Sequence, residues 1–139
     1  MNKEAEEYFV RNFIVKEKRE RLLFELSGKK RRDGIGRFCH SAEDLLIADR
    51  IGFSGKLPRS EIESLLTRYG DINRCFIISY DKAADGKCCG LEEALDLVLG
   101  GGMAAVIISG SAAFIETEQC CGTPERYIVV NDIKNCTFK

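Results

Sequence analysis

Residues 90–115 read GLEEALDLVLGGGMAAVIISGSAAFI, and the rest of the chain is best understood outward from them. Leu91, Ala94, Leu95, Val98 and Leu99 recur at helical spacing, with Glu92, Glu93 and Asp96 between them. That spacing predicts a helix with one packed face and one wet face. Gly100, Gly101 and Gly102 should stop it, because glycine reaches the left-handed conformation of a helix C-cap without steric cost. The run at 104–109 is apolar on both parities, as expected of a strand covered on both sides. Gly110 and Ser111 then predict a turn into a second strand over 112–118.

Upstream, residues 74–80 (RCFIISY) are rich in β-favouring side chains and long enough for a central strand. Residues 81–90 form the loop that leads from it into the helix. Strand, helix and strand in that order suggest a right-handed parallel βαβ unit. Downstream, Gly122-Thr-Pro124 marks a turn and 126–131 (RYIVVN) a last strand. The C-terminal half therefore reads βαβββ. It predicts an α/β domain, with α+β as the alternative, built on a small mixed sheet of about four strands whose last members run antiparallel.

The N-terminal half reads as helical and is expected to cover one face of that sheet. Over 3–27 the expected buried positions are Phe9, Phe13, Leu23 and Phe24, with Gly28 as the stop. Lys16-Glu-Lys-Arg-Glu-Arg21 interrupts the apolar pattern for two turns, so either one long helix projects there or two shorter ones meet, with Glu17 and Arg21 spaced to pair. Residues 28–34 (GKKRRDG) predict an exposed loop. Ser41 and Asp44 predict the N-cap of a helix that turns Leu45, Leu46 and Ile51 inward before Gly52 ends it. Ser60 and Glu63 make a capping-box pattern ahead of a stripe of Ile62, Leu65, Leu66 and Tyr69 that stops at Gly70.

A chain of 139 residues, 45% hydrophobic and 31% charged, fits a single globular domain. No apolar run approaches the roughly 18 residues of a membrane span. The first residues are charged where a secretory signal would be apolar, which predicts a cytoplasmic protein. Seven cysteines, an odd number, then read as reduced thiols rather than a disulfide framework. Residues 16–37 hold nine Lys/Arg against four Asp/Glu, whereas 38–139 hold ten against fifteen. A basic segment on an acidic body is a statement about partners, not about fold.

Four constellations bear on chemistry. Asp81, Asp85, Gly86 and Glu92 fall at positions one, five, six and twelve of a calcium loop, but Ala83 offers no ligand at position three and a strand replaces the incoming helix. Two vicinal thiol pairs, Cys88 with Cys89 and Cys120 with Cys121, offer soft ligands at a spacing too tight for an ordinary zinc site. His40, the only histidine, lies near Arg37 and Glu43, which together would polarise a phosphate or acyl group in a small hydrolase or nuclease. Lys29, Lys30, Arg31 and Arg32 head the basic segment and would meet either an acidic protein surface or successive phosphates. The glycine triplet follows a helix and precedes a strand, the wrong order for a phosphate loop. The sequence thus predicts a small regulatory or protein-binding module with a protein partner and no cofactor. Nucleic-acid binding through the basic segment and hydrolysis centred on His40 are the alternatives.

Overall fold

The computed structural model describes residues 3–40, 42–99, 103–117 and 125–131, with the side chain of His40 outside that set. Among these residues, six strands form one sheet: β1 (Ile51–Gly55), β2 (Cys75–Ser79), β3 (Cys88–Cys89), β4 (Ala105–Ser109), β5 (Ala112–Glu116) and β6 (Arg126–Val130). Their order across the sheet is β1-β6-β5-β4-β2-β3, and every neighbouring pair is antiparallel. The domain is therefore α+β, with six strands where the sequence suggested about four.

Helices α1 (Lys3–Phe13), α2 (Arg19–Leu26) and α3 (Arg31–His40) cover one face. Phe9, Phe13, Leu22, Leu26 and Phe38 pack there against Ile78, Val106, Ile115 and Val129 of the sheet. On the other face, α5 (Arg59–Tyr69) and α6 (Leu91–Val98) bring Ile62, Leu66, Ala94 and Leu95 onto Ile77, Ile107, Phe114 and Ile128. Because β4, β5 and β6 are covered on both sides, all their residues are buried. That explains their unbroken apolar runs.

Gly110 takes φ +59° in the two-residue turn between β4 and β5, where an L side chain would be strained. The hairpin expected at Gly110 and Ser111 is formed. Helix α6 ends at Val98 and β4 starts at Ala105, so the helix and strand expected on either side of the glycine triplet are formed; Leu99 closes the helix in an extended conformation, and the glycine cap expected at Gly100, Gly101 and Gly102 lies outside the described residues.

The parallel βαβ unit is not formed. A two-residue strand, β3, hairpins back on β2 with Cys89 opposite Cys75, reversing the chain before α6 begins. The helix consequently returns β4 antiparallel to β2, with Ser109 opposite Cys75. The helix expected up to Ile51 is likewise only α4 (Ala42–Leu45), followed by a 3-10 turn at Ala48–Arg50 and then β1. Gly52 sits inside that strand, at a register shift between Ile51 and Phe53, and does not terminate a helix.

The proposed capping box is not formed. Pro58 caps α5 without a side-chain hydrogen bond, and Glu63 instead pairs with Arg59 at 3.0 Å, one turn away. In the N-terminal layer two helices meet rather than one projecting: Ile14 leaves α1 to bridge Leu46, and a 3-10 turn at Lys16–Lys18 leads into α2. Arg21 lies 4.0 Å from Glu25, the neighbour on its C-terminal side, rather than pairing with Glu17. Phe9 and Phe13 are buried as expected, but Phe24 is 70% exposed. Leu22 and Leu26 set the packed face of α2, and Phe24 lies about 200° round the helix from Leu22.

Candidate functional site

Among the described residues, the N-terminal layer concentrates the buried charge and the most exposed aromatic side chain. Glu6 lies in phase with Phe9, Val10 and Phe13 on the buried stripe of α1. A carboxylate there needs a cation, since an unpaired buried charge is costly. Arg31, the first residue of α3, supplies it. Its Nη1 and Nη2 donate to Glu6 Oε1 and Oε2 at 2.8 and 2.6 Å, and Nε and Nη2 donate to Asp85 Oδ2 and Oδ1 at 2.7 and 2.8 Å.

The remaining Nη1 proton goes to the Leu26 carbonyl at 2.9 Å, so all five guanidinium donors are satisfied. Burial opposes the Arg31 charge, but hydrogen bonds to Asp85 and Glu6 outweigh it and hold the guanidinium above its ordinary pKa. One side chain thereby joins α1, the start of α3 and the loop between β2 and β3.

This places two of the sequence-predicted sites in a new light. Arg31 is buried, so the predicted exposed loop at 28–34 is wrong at its centre, where α3 already begins. Of the four basic residues proposed to meet a partner, Lys29, Lys30 and Arg32 are exposed and Arg31 is not. Arg32 stacks 4.1 Å over the Tyr80 ring and donates to the Tyr80 carbonyl at 3.2 Å. Asp85, proposed as a calcium ligand, is engaged by Arg31 and also accepts the Ser79 amide at 3.0 Å. Asp81 caps its own turn by accepting the Ala83 amide at 3.0 Å, and Glu92 lies exposed in the first turn of α6. No group of three or more Cys, His, Asp or Glu among the described residues is arranged to hold a metal.

The residues proposed around His40 find separate partners. Arg37 is ion-paired with buried Glu25 and lines a cleft of about 210 Å³ with Lys18, Arg21, Phe38 and Asp44. Glu43 accepts a hydrogen bond from the Tyr127 hydroxyl at 3.0 Å. Burial first, and then Glu43, push the Tyr127 hydroxyl pKa up to about 12. The His40 side chain and Ser41 lie outside the described residues, as do Cys120, Cys121, Cys136 and the turn at Gly122-Thr-Pro124.

Beside the Arg31 cluster runs an open groove of about 560 Å³, lined by Lys3, Glu7, Leu23, Phe24 and Leu26, with Glu6 and Arg31 on its wall. Glu6 shares the single charge of Arg31 with Asp85, and Glu7 pairs with Arg11 at 2.9 Å. Lys3 on its lining and Lys29 and Lys30 in the turn between Ser27 and Arg31 are exposed, and no ion pair for them is seen among the described residues. The groove is thus apolar at Leu23, Phe24 and Leu26, with Lys3 as the lining cation for which no carboxylate partner is seen among the described residues. Phe24, expected to be buried, is instead exposed, and the spacing of Leu22 and Leu26 already puts it on the opposite side of α2. Comparison with known protein families, with curated proteins and with solved structures gave no match.

Proposed function

We propose that this protein is a protein-binding module that receives an acidic segment, anchored by an apolar side chain, in the groove between α1 and α2. The observation that carries the reading is Phe24, 70% exposed on a helix whose neighbours Leu22 and Leu26 are buried. A large aromatic ring left in water beside a groove is a good anchor point, because aromatic contacts dominate interface energetics. The exposed lysines select the charge of the partner: Lys3, Lys29 and Lys30 would steer acidic side chains toward the groove and fix their register. The full complement of hydrogen bonds on Arg31 supports a rigid platform beneath it, which lowers the ordering cost of binding.

Selection of random 16-residue peptides on the immobilised protein tests this. Enriched peptides should pair an aromatic or leucine anchor with Asp or Glu, and should lose at least tenfold in affinity to Phe24→Ser or to the Lys29→Glu, Lys30→Glu double variant. Both changes are at exposed positions, so the melting temperature should hold. Enriched peptides that bind these variants as tightly as the natural chain would refute the groove. Tight retention of a single-stranded oligonucleotide that falls steeply with salt, with no peptide enriched, would favour nucleic acid as the partner instead.

A further inference from the structure

Cys75 opens β2 and Cys89 closes β3, and the antiparallel register sets the two directly opposite each other. Residues so placed have Cα atoms about 4.5 to 5.5 Å apart, whichever type of pair they form. Disulfides bridge Cα separations of roughly 4.4 to 6.8 Å. Directly opposed side chains also share one face of a sheet. Both thiols do so here: Cys75 is fully buried in the apolar cluster beneath α5 and α6, and Cys89 packs half-buried against the same cluster. Cys88, on the other parity, is exposed.

The surroundings favour an uncharged sulfur. Burial pushes the Cys75 thiol up, and burial together with Glu93 pushes Cys89 up to about 11. A disulfide carries no charge and suits such a site as well as two thiols do. The contacts given up are weak thiol hydrogen bonds: Cys75 Sγ to the Asp71 carbonyl at 3.5 Å and to Ser109, and Cys89 to Glu93.

We propose that Cys75 and Cys89 are a dithiol that closes into a disulfide across the β2–β3 hairpin when a peroxide is supplied. The Cys89 sulfur, which solvent reaches, attacks the peroxide in the minor fraction that has lost its proton to solvent, so the step is slow at neutral pH and faster as pH rises. The O–O bond breaks, giving a sulfenic acid on Cys89 and releasing one oxygen as water after protonation. The Cys75 sulfur then displaces the sulfenic oxygen, which leaves as a second water, and the S–S bond forms. Two thiols lose two electrons and two protons, and one hydrogen peroxide becomes two waters.

The bond would tie together the open ends of the β2–β3 hairpin whose loop carries Asp85. Since Asp85 grips Arg31, a clip placed on the far face of the sheet bears on the layer that holds the groove. Closing the loop removes conformations from the unfolded chain and should raise thermal stability.

The test treats the full chain with hydrogen peroxide, blocks remaining thiols by alkylation, and maps digested peptides by mass spectrometry. The expected product is a cross-link joining the Cys75 and Cys89 peptides, lighter by two hydrogens, with a raised melting temperature that dithiothreitol reverses. In Cys75→Ser the cross-link should vanish and dimedone should trap a sulfenic acid on Cys89. If that variant does not fold, the map of the natural chain decides alone. A Cys88–Cys89 linkage, a bond from either residue to Cys120, Cys121 or Cys136, or sulfinic acid without any cross-link would overturn the proposal.

Discussion

The two faces of the sheet carry helices by different means. On one, α5 and α6 lay unbroken apolar stripes on Ile77, Ile107, Phe114 and Ile128, and their charges stay outside: Arg59 reaches Asp96 at 2.6 Å in a pair that solvent bathes. On the other, α1, α2 and α3 bury Glu6, Glu25 and Arg31 along with their phenylalanines and leucines. The first arrangement is held mainly by apolar area, with its one buried ion pair among the described residues, Glu116 with Arg126, set at the sheet's end. The second adds directional bonds that fix how α1 and α3 sit on the sheet, and it leaves Phe24 outside. A layer positioned by polar contacts can hold a groove open, because its geometry does not depend on maximal apolar closure.

The comparison can be broken most sharply at Arg31. Arg31→Met should cost about 3–5 kcal/mol, because it strands two buried carboxylates without a cation. Arg31→Lys should recover only part of this, since an ammonium cannot bind Glu6 and Asp85 through two parallel bonds each. Urea unfolding measures both. A loss within 1 kcal/mol for Arg31→Met would mean that apolar packing alone holds the N-terminal layer.

A smaller effect is expected at Gly34, where a β-carbon would lie 2.8 Å from the Cβ of Glu25. Gly34→Ala should therefore push α3 from α2 and cost about 1–3 kcal/mol, despite alanine's better helix propensity. A gain in stability would show that the two helices are not in close contact there.

On the α5 and α6 side, the buried polar pair lies at the sheet's end. Glu116 accepts from Arg126 at 2.7 Å, while its Oε2 has no partner among the described residues. Burial raises the Glu116 pKa above the ordinary carboxylate value, and the Arg126 charge opposes without cancelling it. A carboxyl raised on folding contributes stability that is full below its unfolded value and lost as pH rises through its folded value. Relative to Glu116→Gln, the natural chain should therefore lose melting temperature from acid to neutral pH. A difference that grows in its favour would mean that Arg126 outweighs burial. Smallest of all, Asp96→Asn should leave the melting temperature unchanged, because the Arg59 pair is exposed.

The same contrast explains what could be read from residues alone. Periodicity identified α5, α6, β2, β4, β5 and β6, because each has an apolar pattern that declares its own period. It missed β1, whose five residues include two glycines, and β3, whose two cysteines carry almost no pattern. Missing β3 is what made β2 and β4 look parallel. The N-terminal site was harder, since Arg31 meets partners 25 and 54 positions away, beyond any local rule. One clue was present: Glu6 in phase with Phe9, Val10 and Phe13 asks for a buried cation. Arg31, Arg32 and Arg37 looked alike as a basic run, yet each has its own partner: one buried in the Glu6–Asp85 cluster, one stacked on Tyr80, one paired with Glu25.

The most direct test of the division between the faces is a titration of the isotope-labelled protein with a selected acidic peptide, followed by amide chemical shifts. Shifts concentrated at residues 3–7 and 22–31, with α5 and α6 silent, are the predicted result. Shifts centred on α5, α6 or the β1 edge would contradict it.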